Sequence, residues 1–461
     1  MRKTYISILL IFLLFFVLSC NNDVSKPNSG DNASSNISNS DNTSSNNSNS
    51  DNSNNSIKRL ILDLNGASTL YIGKSSQSSS RDISSSSSQN KIFKVTEDGY
   101  SQEVIYYYET DVYDDKGNLV EKKKEKVTEV MVPEKLIKLN ENYLIVSFGN
   151  TNNYLVDTKT GYCFNYTFNT PNIDSRINYF TGEPIQFDSE GNIYYIVDNK
   201  IMKISISDPQ SVSIEQISPS IERISSSWGV DLIGNCAYKG SDELENGVVR
   251  FKKASGGYVN LPGDTNRRIH FWQGLDGNIY YYNDANPGTG IKKIDKTSYE
   301  IIDVPYSEGS YISGACGFSA LLKVKNKNRI ILVEDGSAYP FFHEVYNPDT
   351  NIVTTKKASD IGLNKIKFAV SSDDFYYFVG SDENNNCKVV KVDPVTYQYE
   401  YLLSDGEYDV YNLTVSKNSI VFNALRMSDG AIVMGRINNN GNIKILDDKL
   451  ENLVTVLERI N

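Results

Sequence analysis

The strongest constraint on the fold of this chain is a short motif that recurs at a fixed interval. Gly-Asn-Ile-Tyr-Tyr occupies residues 191–195 and again 277–281, and Gly-Asn-Cys-Ala-Tyr occupies 234–238 midway, so that both intervals are 43 residues. Each Gly-Asn pair stands between two apolar runs, as expected of a hairpin turn, because both residue types tolerate a positive φ. Weaker copies extend the series in both directions, beginning at Asn142, Arg329, Asp374 and Asn418. The chain is therefore built of internal repeats.

Each repeat has the pattern of four short strands. After the Gly-Asn hairpin comes a segment in which apolar and polar residues alternate, as at 201–204 and 291–294. A turn with Asp and Thr follows, for example 295–297, and then a fourth segment such as 299–302. The 31 tyrosines favour strands, and no segment after residue 20 keeps a helical apolar period for three turns. Four antiparallel strands at this spacing are typical of β-propeller blades.

The number of repeats sets the size of the ring. Seven repeats begin near residues 135, 184, 228, 270, 314, 366 and 410. Residues 69–72 and 91–95 match the second and third strands of one more repeat, with a Ser-rich loop at 75–90 between them. We therefore predict an all-β fold, a single β-propeller at 57–461 with four-stranded antiparallel blades. Eight blades are favoured, and seven are the alternative.

Two further segments complete this prediction. Residues 104–132 have the pattern of a long hairpin that turns at 114–118. Residues 453–460 form a strand that is left over after the last repeat. We expect this strand to pair with the first blade and close the ring, because closure removes the open sheet edges that favour aggregation.

The predicted architecture resembles that of the outer-membrane assembly scaffold, an eight-bladed propeller lipoprotein of bacteria. The blades of that family carry the motif Ala-x-Asp-x-x-Thr-Gly-x-x-x-Trp. Here Asp157-Thr158-Lys159-Thr160-Gly161 follows part of it, in one blade and without the final Trp. The resemblance is therefore one of architecture and does not carry that family's function to this chain.

The N-terminal residues have the pattern of a secretory signal. Arg2 and Lys3 precede an apolar run at 5–18, which is short for a transmembrane helix. Val17-Leu18-Ser19-Cys20 resembles the lipobox of bacterial lipoproteins, with Val in place of the commoner Leu three residues before the Cys. The resemblance implies that 1–19 is a signal peptide, that Cys20 carries lipid, and that the protein lies in the cell envelope on a bacterial membrane. An uncleaved membrane anchor is the alternative.

The segment after Cys20 is predicted to be a disordered tether. Residues 21–56 are almost wholly Asn, Ser and Asp, and such a composition cannot build a core. A flexible chain of this length has a root-mean-square span of about 30 Å. The predicted units are thus the signal, the lipidated tether at 20–56 and the propeller. We expect a monomer whose only membrane contact is the N-terminal lipid, facing the periplasm or the cell surface.

The net charge argues against two classes of partner, and the cysteine content argues against disulfides and against a zinc or redox site. The formal net charge of −11 argues against nucleic acid and against anionic lipid surfaces as partners. Four cysteines besides Cys20 fall in different repeats, so buried free thiols are predicted in preference to disulfides: Cys163, Cys236, Cys316 and Cys387. No Cys-x-x-Cys pair supports a zinc or redox site.

Residues able to carry catalysis are sparse. His270 and His343, the two histidines, fall in different repeats, so each is predicted to be structural. The sequence contains no Gly-x-Ser-x-Gly elbow and no phosphate-binding loop. The oxygen-rich segment 382–386 lacks the ligand spacing of a Ca²⁺ loop and is predicted to be a solvated hairpin. Paired acidic residues stand at predicted turns, at 114–115, 373–374 and 447–448. We predict no catalytic residue, no metal and no cofactor.

One set of residues suggests a ligand site. Three consecutive segments that lead from one blade to the next combine arginine with an aromatic residue: Arg176 with Tyr179, Arg223 with Trp228, and Arg267 and Arg268 with Trp272. Arginine and tryptophan are enriched in binding hot spots. The hypothesis is a cationic, aromatic patch near the channel mouth, suited to an acidic or sugar-like ligand. The alternative is that the arginines lie on the surface and each Trp packs between blades.

Taken together, these patterns favour a lipid-anchored extracytoplasmic propeller that binds or scaffolds a partner protein or a glycan without catalysis. The alternative is an envelope enzyme that acts on glycans or peptides with carboxylates in the central channel.

Overall fold

The computed structural model describes most of the chain after the predicted tether. The described residues are 58–74, 89–129, 131–148, 152–166, 185–197, 199–208, 211–218, 223–241, 247–261, 269–283, 290–310, 312, 318–334, 341–404, 406–416, 419–438, 441–454 and 456–459. Cys20, Arg176, Arg267, Arg268 and Cys316 lie outside them. Within these ranges, no helix has the length and apolarity needed to cross a membrane.

The described part of the chain is almost entirely β-structure. The first ten strands are β1 (Lys58–Leu62), β2 (Ala67–Gly73), β3 (Lys91–Thr96), β4 (Ser101–Glu103), β5 (Tyr106–Tyr113), β6 (Leu119–Lys126), β7 (Lys135–Lys138), β8 (Tyr143–Phe148), β9 (Asn152–Asp157) and β10 (Tyr162–Tyr166). The next twelve are β11 (Gln186–Phe187), β12 (Ile193–Val197), β13 (Lys200–Asp208), β14 (Ser211–Gln216), β15 (Arg223–Val230), β16 (Cys236–Ser241), β17 (Gly247–Lys252), β18 (Tyr258–Asn260), β19 (Ile269–Gln273), β20 (Ile279–Asn283), β21 (Ile291–Ile294) and β22 (Ile301–Asp303).

The remaining strands follow at similar spacing to the end of the described chain. They are β23 (Phe318–Val324), β24 (Arg329–Glu334), β25 (Phe341–Tyr346), β26 (Thr354–Lys357), β27 (Lys365–Ser371), β28 (Tyr376–Ser381), β29 (Cys387–Val392), β30 (Tyr399–Leu403), β31 (Tyr408–Ser416), β32 (Ser419–Arg426), β33 (Ile432–Asn438), β34 (Ile443–Leu450) and β35 (Val456–Arg459). Among the described residues, two short 3-10 turns interrupt the strands, Lys325–Lys327 and Ala358–Ile361.

These strands form eight antiparallel sheets. Blade 1 contains β35, β2, β3 and β4, and blade 2 contains β7 to β10; blades 3 to 8 take the strands from β11 to β34 four at a time. First strands of neighbouring blades lie against one another, as β11 does with β15, β15 with β19, β23 with β27, and β27 with β31. β35 contacts both β31 and β7. The first strands therefore surround a common axis, and the predicted eight-bladed propeller is confirmed.

The ring closes through a strand from the far end of the chain. β35 is antiparallel to β2, with Thr69 opposite Arg459 and Ile72 opposite Val456. Blade 1 thus combines its first strand from the last residues of the described chain with three strands from the beginning.

Blade 2 is larger than the other blades, because three extra strands continue its sheet outward. β1 pairs with β10, the fourth strand of the blade, and the hairpin of β5 and β6 follows β1. Leu60 and Leu62 of β1 lie in the same core cluster as Val156 and Cys163 of the blade. The sequence pattern did not predict β1, since a lone five-residue strand has no local feature that names its pairing partner.

The core lies between blades. Trp272, Tyr280 and Tyr282 of blade 5 share one cluster with Leu332 and Val345 of blade 6. The second strand β24 is buried along its whole length, whereas the outermost strand β22 is exposed throughout. Because each blade buries its faces against its two neighbours, the stability of one blade depends on the presence of the next.

The thiols described by the structure are free and buried, as predicted, at Cys163, Cys236 and Cys387.

Candidate functional site

The repeated Gly-Asn motif is the second half of a turn closed by an aspartate. Asp188 Oδ1 accepts hydrogen bonds from the backbone N–H groups of Glu190 and Asn192, both at 3.0 Å. The Asn192 side-chain amide donates to Asp188 Oδ2 at 2.7 Å. Gly191 has φ of +81°, in the left-handed region where glycine carries no Cβ penalty. Asp-x-x-Gly-Asn is therefore a structural unit in which each residue type has a defined task.

The next blade repeats this turn in a more buried setting. Asp231 Oδ1 accepts from the backbone N–H groups of Ile233 at 3.0 Å and Asn235 at 2.8 Å, and Oδ2 accepts from the Asn235 amide at 2.6 Å. Asn235 Oδ1 in turn accepts from the backbone of Ala254 at 2.8 Å, in the turn between the third and fourth strands. Burial raises the pKa of Asp231 to about 6.

Backbone hydrogen bonds connect the turns of successive blades. The N–H of Ser189 donates to the carbonyl of Leu232 at 2.8 Å, and the N–H of Leu232 donates to the carbonyl of Gly277 at 3.2 Å. Farther around the ring, the N–H of Asn326 donates to the carbonyl of Asp373 at 2.8 Å. These turns therefore form a continuous seam across blades 3, 4 and 5.

Two glutamines reinforce the seam from the first strands. Gln186 Oε1 accepts from the backbone N–H of Val230 at 2.7 Å. Gln273 Nε2 donates to the carbonyls of Phe187 at 2.8 Å and Val230 at 2.9 Å. One glutamine of blade 5 thereby reaches both blade 3 and blade 4, so the relative position of the three blades is fixed by directed bonds.

A polar cleft of about 310 Å³ opens between the turns of blades 3 and 4. Its charged lining consists of Asp188, Glu190, Glu215, Lys203, Lys252 and Lys253. Ile217, Leu232 and Ile233 supply an apolar part of the wall. Carboxylate and ammonium groups thus line one cleft, and the hydrogen bonds of the seam hold its walls together.

Tyr194 lines this cleft and hydrogen-bonds to Asp188. Its hydroxyl donates to Asp188 Oδ2 at 3.0 Å, and Lys203 Nζ lies 5.9 Å from the centroid of its ring. Burial, the thiol of Cys236 and the charge of Asp188 together raise the pKa of Tyr194 well above its usual value of 10. The phenol therefore stays protonated and remains a donor at physiological pH.

The tryptophans of the predicted patch lie in the core. Trp228 and Trp272 are each 1% exposed. Trp228 packs with Tyr194 and Tyr238, and Trp272 is stacked on Tyr280 with ring centroids 6.0 Å apart. The indoles therefore do not face solvent, which matches the interpretation that each Trp packs between blades.

The cationic part of that patch stays a prediction. Arg223 begins β15 opposite Ser241, and only its backbone is described. Arg176, Arg267 and Arg268 lie outside the described residues.

A histidine-centred triad was missed by the sequence reasoning. His343 Nε2 lies 2.9 Å from Glu334 Oε1, and His343 Nδ1 lies 3.1 Å from Thr355 Oγ1. The three side chains come from adjacent strands of blade 6, and those of His343 and Glu334 are each 1% exposed. The triad links β24, β25 and β26 in the core, with the half-buried Thr355 as its most exposed member. Only the cross-strand register brings these residues together, and sequence spacing does not encode that register.

The other residues singled out by sequence have local partners. His270 is buried and stacked on Tyr282, with ring centroids 6.5 Å apart. Asp382 Oδ1 accepts from the backbone of Asn384 and Asn386, both at 2.9 Å, and Lys388 Nζ lies 3.2 Å from Asp382 Oδ2. Among the residues that the structure describes, no group of three or more His, Cys, Asp or Glu has the arrangement of a metal site.

Comparisons with known proteins yield distant structural likenesses. No protein-family model and no curated protein matches the chain. A solved oligogalacturonate lyase in complex with manganese is 11% identical, with 65% of this chain and 87% of that one covered and a TM-score of 0.40. YCF48 bound to D1 peptide is 12% identical, covering 59% and 82%, with a TM-score of 0.37. A putative TolB from Agrobacterium tumefaciens is 13% identical, covering 58% and 80%, with a TM-score of 0.27. These likenesses transfer no activity, and the eight-bladed ring rests on the strand order and on the contacts between first strands.

Proposed function

We propose that this protein is a lipid-anchored propeller of a bacterial cell envelope that binds a partner without catalysis. In this proposal, residues 1–19 are removed, Cys20 carries the lipid, and 20–56 tethers the ring outside the cytoplasm. The lipobox-like residues 17–20 and the Asn- and Ser-rich composition of 21–56 support the anchor. The closed ring after residue 57 supports a role as a rigid binding body.

The observation that carries the binding role is the cleft between blades 3 and 4. Its lining mixes Glu190 and Glu215 with Lys203, Lys252 and Lys253, whereas sites for drug-like ligands are mostly apolar. A polar segment of a partner protein that bears both acidic and basic side chains matches this lining. A glycan is the second kind of ligand that such a surface accepts.

The seam makes the cleft a preorganised site. The turns that form its walls are closed by Asp188 and Asp231 and are joined to each other by backbone bonds. A site that is already ordered loses little conformational entropy when a ligand binds, so weak polar contacts suffice for useful affinity.

The binding role is tested by crosslinking and affinity capture from the native envelope. We compare the full chain with the double variant Lys252→Glu/Lys253→Glu and with the control Lys159→Glu, which changes an exposed turn lysine of blade 2. We expect one partner whose recovery falls at least about tenfold in the double variant and is unchanged in the control, since reversed charges repel the bound segment. Equal recovery from all three proteins contradicts the cleft as the site. Turnover of an envelope glycan or peptide by the purified protein favours the enzyme instead.

The anchor is tested separately by metabolic labelling with a radioactive fatty acid. We expect label on the wild-type protein and none on Cys20→Ser. Label that persists in the variant contradicts attachment at Cys20.

A further inference from the structure

The hairpin outside blade 2 ends in an open strand edge. β6 is the terminal strand of the seven-stranded sheet and pairs with β5 alone among the described strands. All eight of its residues are exposed. An exposed edge of this kind presents N–H and C=O groups that a further strand can use.

The register identifies which residues of β6 offer these groups. The N–H of Val127 donates to the carbonyl of Tyr106 at 2.9 Å, just beyond the end of β6. Hydrogen-bonded and non-hydrogen-bonded pairs alternate in an antiparallel ladder. Glu121, Lys123 and Glu125 therefore direct their backbone groups toward β5. The backbone groups that point outward belong to Lys122, Lys124 and Lys126.

The side chains of these outward residues create a basic face. Lys122, Lys124 and Lys126 alternate along the strand and so lie on one side of the sheet. Glu109 of β5 is on the same side; Lys122 Nζ lies 3.4 Å and Lys124 Nζ 3.8 Å from Glu109 Oε1 and Oε2, respectively. Arg59 adds a further cation to this face, with an Nη 2.8 Å from Asp111 Oδ2.

Glu109 is fully engaged within the sheet. Only 3% of its side chain is exposed, and Tyr162 donates a hydrogen bond to Oε1 at 2.6 Å. Burial acts to raise the pKa of Glu109, but the bonds from Tyr162 and Lys122 and the lysine charges outweigh it, so that this pKa is lowered. The Glu109 carboxylate stays ionised and forms ion pairs with Lys122 and Lys124. The three lysines themselves remain exposed.

A second copy of the chain is a poor occupant of this edge. Two β6 edges that pair antiparallel must place outward residues opposite outward residues. The registers that overlap most of the strand set lysine against lysine among positions 122, 124 and 126. Like charges that are directly opposite destabilise a strand pair. Self-pairing therefore brings lysines opposite one another on this side of the sheet, whereas an acidic strand can pair with all three of them, so the charge pattern favours a strand of opposite charge.

We propose that β6 binds an extended acidic segment of a partner protein as an added strand. Acidic side chains at alternate positions of the segment pair with Lys122, Lys124 and Lys126, while its backbone completes the ladder. Leu119 and Val120, which are 50% and 66% exposed at the start of the strand, supply an apolar contact. This surface is separate from the cleft of blades 3 and 4, so either site can exist without the other.

The binding experiment uses the full chain and a fluorescent seven-residue peptide with glutamate at three alternate positions and threonine or valine between them. Lys124→Pro removes an outward N–H, which an edge strand tolerates, and Lys124→Thr removes the charge alone. Lys123→Thr is the matched control on the opposite face. We expect binding to weaken at least about tenfold in Lys124→Pro, about threefold in Lys124→Thr and less than twofold in Lys123→Thr. Equal binding by wild type and Lys124→Pro overturns the proposal, as does equal binding of a peptide with lysine in place of glutamate.

Hydrogen exchange supplies a readout that does not require a proline variant to fold. With peptide bound, the amides of Lys122, Lys124 and Lys126 should exchange at least about tenfold more slowly, whereas those of Glu121, Lys123 and Glu125 should change little. Uniform protection of all six amides, or none, overturns strand addition. Dimerisation through β6, measured by sedimentation, overturns the choice of partner.

Discussion

The same five-residue turn occurs in two regions of the molecule with opposite electrostatic consequences. At the tip of the β5–β6 hairpin, Asp114 accepts from the backbone of Lys116 at 2.9 Å and Asn118 at 2.8 Å. In the seam, Asp231 accepts an equivalent set of bonds. The bonds from Asn118 and Lys116 lower the pKa of the solvated Asp114, whereas burial raises that of Asp231 to about 6. With equal hydrogen bonding, the carboxyl group at the surface therefore loses its proton more readily than usual, and the one in the core loses it less readily.

The comparison shows how one local motif serves two purposes. At the hairpin tip the turn only reverses the chain, since Gly117 has nothing within 4 Å of the place a Cβ would occupy. In the seam it also joins neighbouring blades and forms the wall of a cleft. Its sequence alone does not distinguish these roles, because they depend on what packs against the turn.

The largest expected effect is the loss of the aspartate in the seam. We expect Asp231→Ala to lower the free energy of unfolding by about 2–4 kcal/mol, because each buried donor left without an acceptor costs about 1–3 kcal/mol. Asp114→Ala, which exposes the same donors to water, should leave the urea midpoint nearly unchanged. Urea titration followed by tryptophan fluorescence measures both. Similar losses of unfolding free energy in the two variants would show that burial of the turn does not increase the stabilisation by its aspartate.

The second effect is a pH dependence that arises from Asp231. Its pKa is raised in the folded state, so the proton is bound more tightly there than in the unfolded chain. The resulting stability is present below the unfolded pKa and is lost as pH rises through about 6. We expect the wild type to lose about 1.4 kcal/mol between pH 5 and pH 7 relative to Asp231→Asn, which cannot titrate.

The control for this experiment is the turn at the hairpin tip. The lowered pKa of Asp114 gives the opposite sign, with stability present above its unfolded pKa and lost as pH falls through the folded one. A constant difference between wild type and Asp231→Asn from pH 5 to 7 contradicts the raised pKa.

The smallest effect separates backbone conformation from packing. Gly117 and Gly234 both have left-handed φ, of +81° and +85°, so alanine should cost about 1–2 kcal/mol at either position. A Cβ on Gly234 would also lie 2.9 Å from the hydroxyl of Tyr194. We therefore expect Gly234→Ala to lower the free energy of unfolding by about 1 kcal/mol more than Gly117→Ala does, as measured by chemical denaturation. Equal costs would mean that Tyr194 moves aside freely.

Much of the ring could be predicted from the sequence because its information is local and repeated. The Gly-Asn turns and the apolar strands at 193–197 and 279–283 recur at one spacing, so each copy supports the others. The burial of Trp228 and Trp272 does not follow from these repeats, because a shift of one position along a strand moves a side chain to the opposite face of the sheet.

The sites depend on contacts that are distant in sequence. The cleft combines Glu190 with Lys252, and the triad combines Glu334 with Thr355 across three strands. The attachment of β1 to β10 likewise depends on a pairing of residue 60 with residue 163. Such pairings follow from packing and register, which spacing along one strand does not specify.

The closure of blade 1 also sets the order in which the protein can be completed. β2 is buried along its length, and its partner β35 is made only when residues 456–459 have been synthesised. A growing or truncated chain that ends before them leaves the apolar β2 with an open edge. The ring therefore cannot close before these residues are present, and deletion of 456–459 should leave an open ring whose β2 edge pairs with a strand of another molecule.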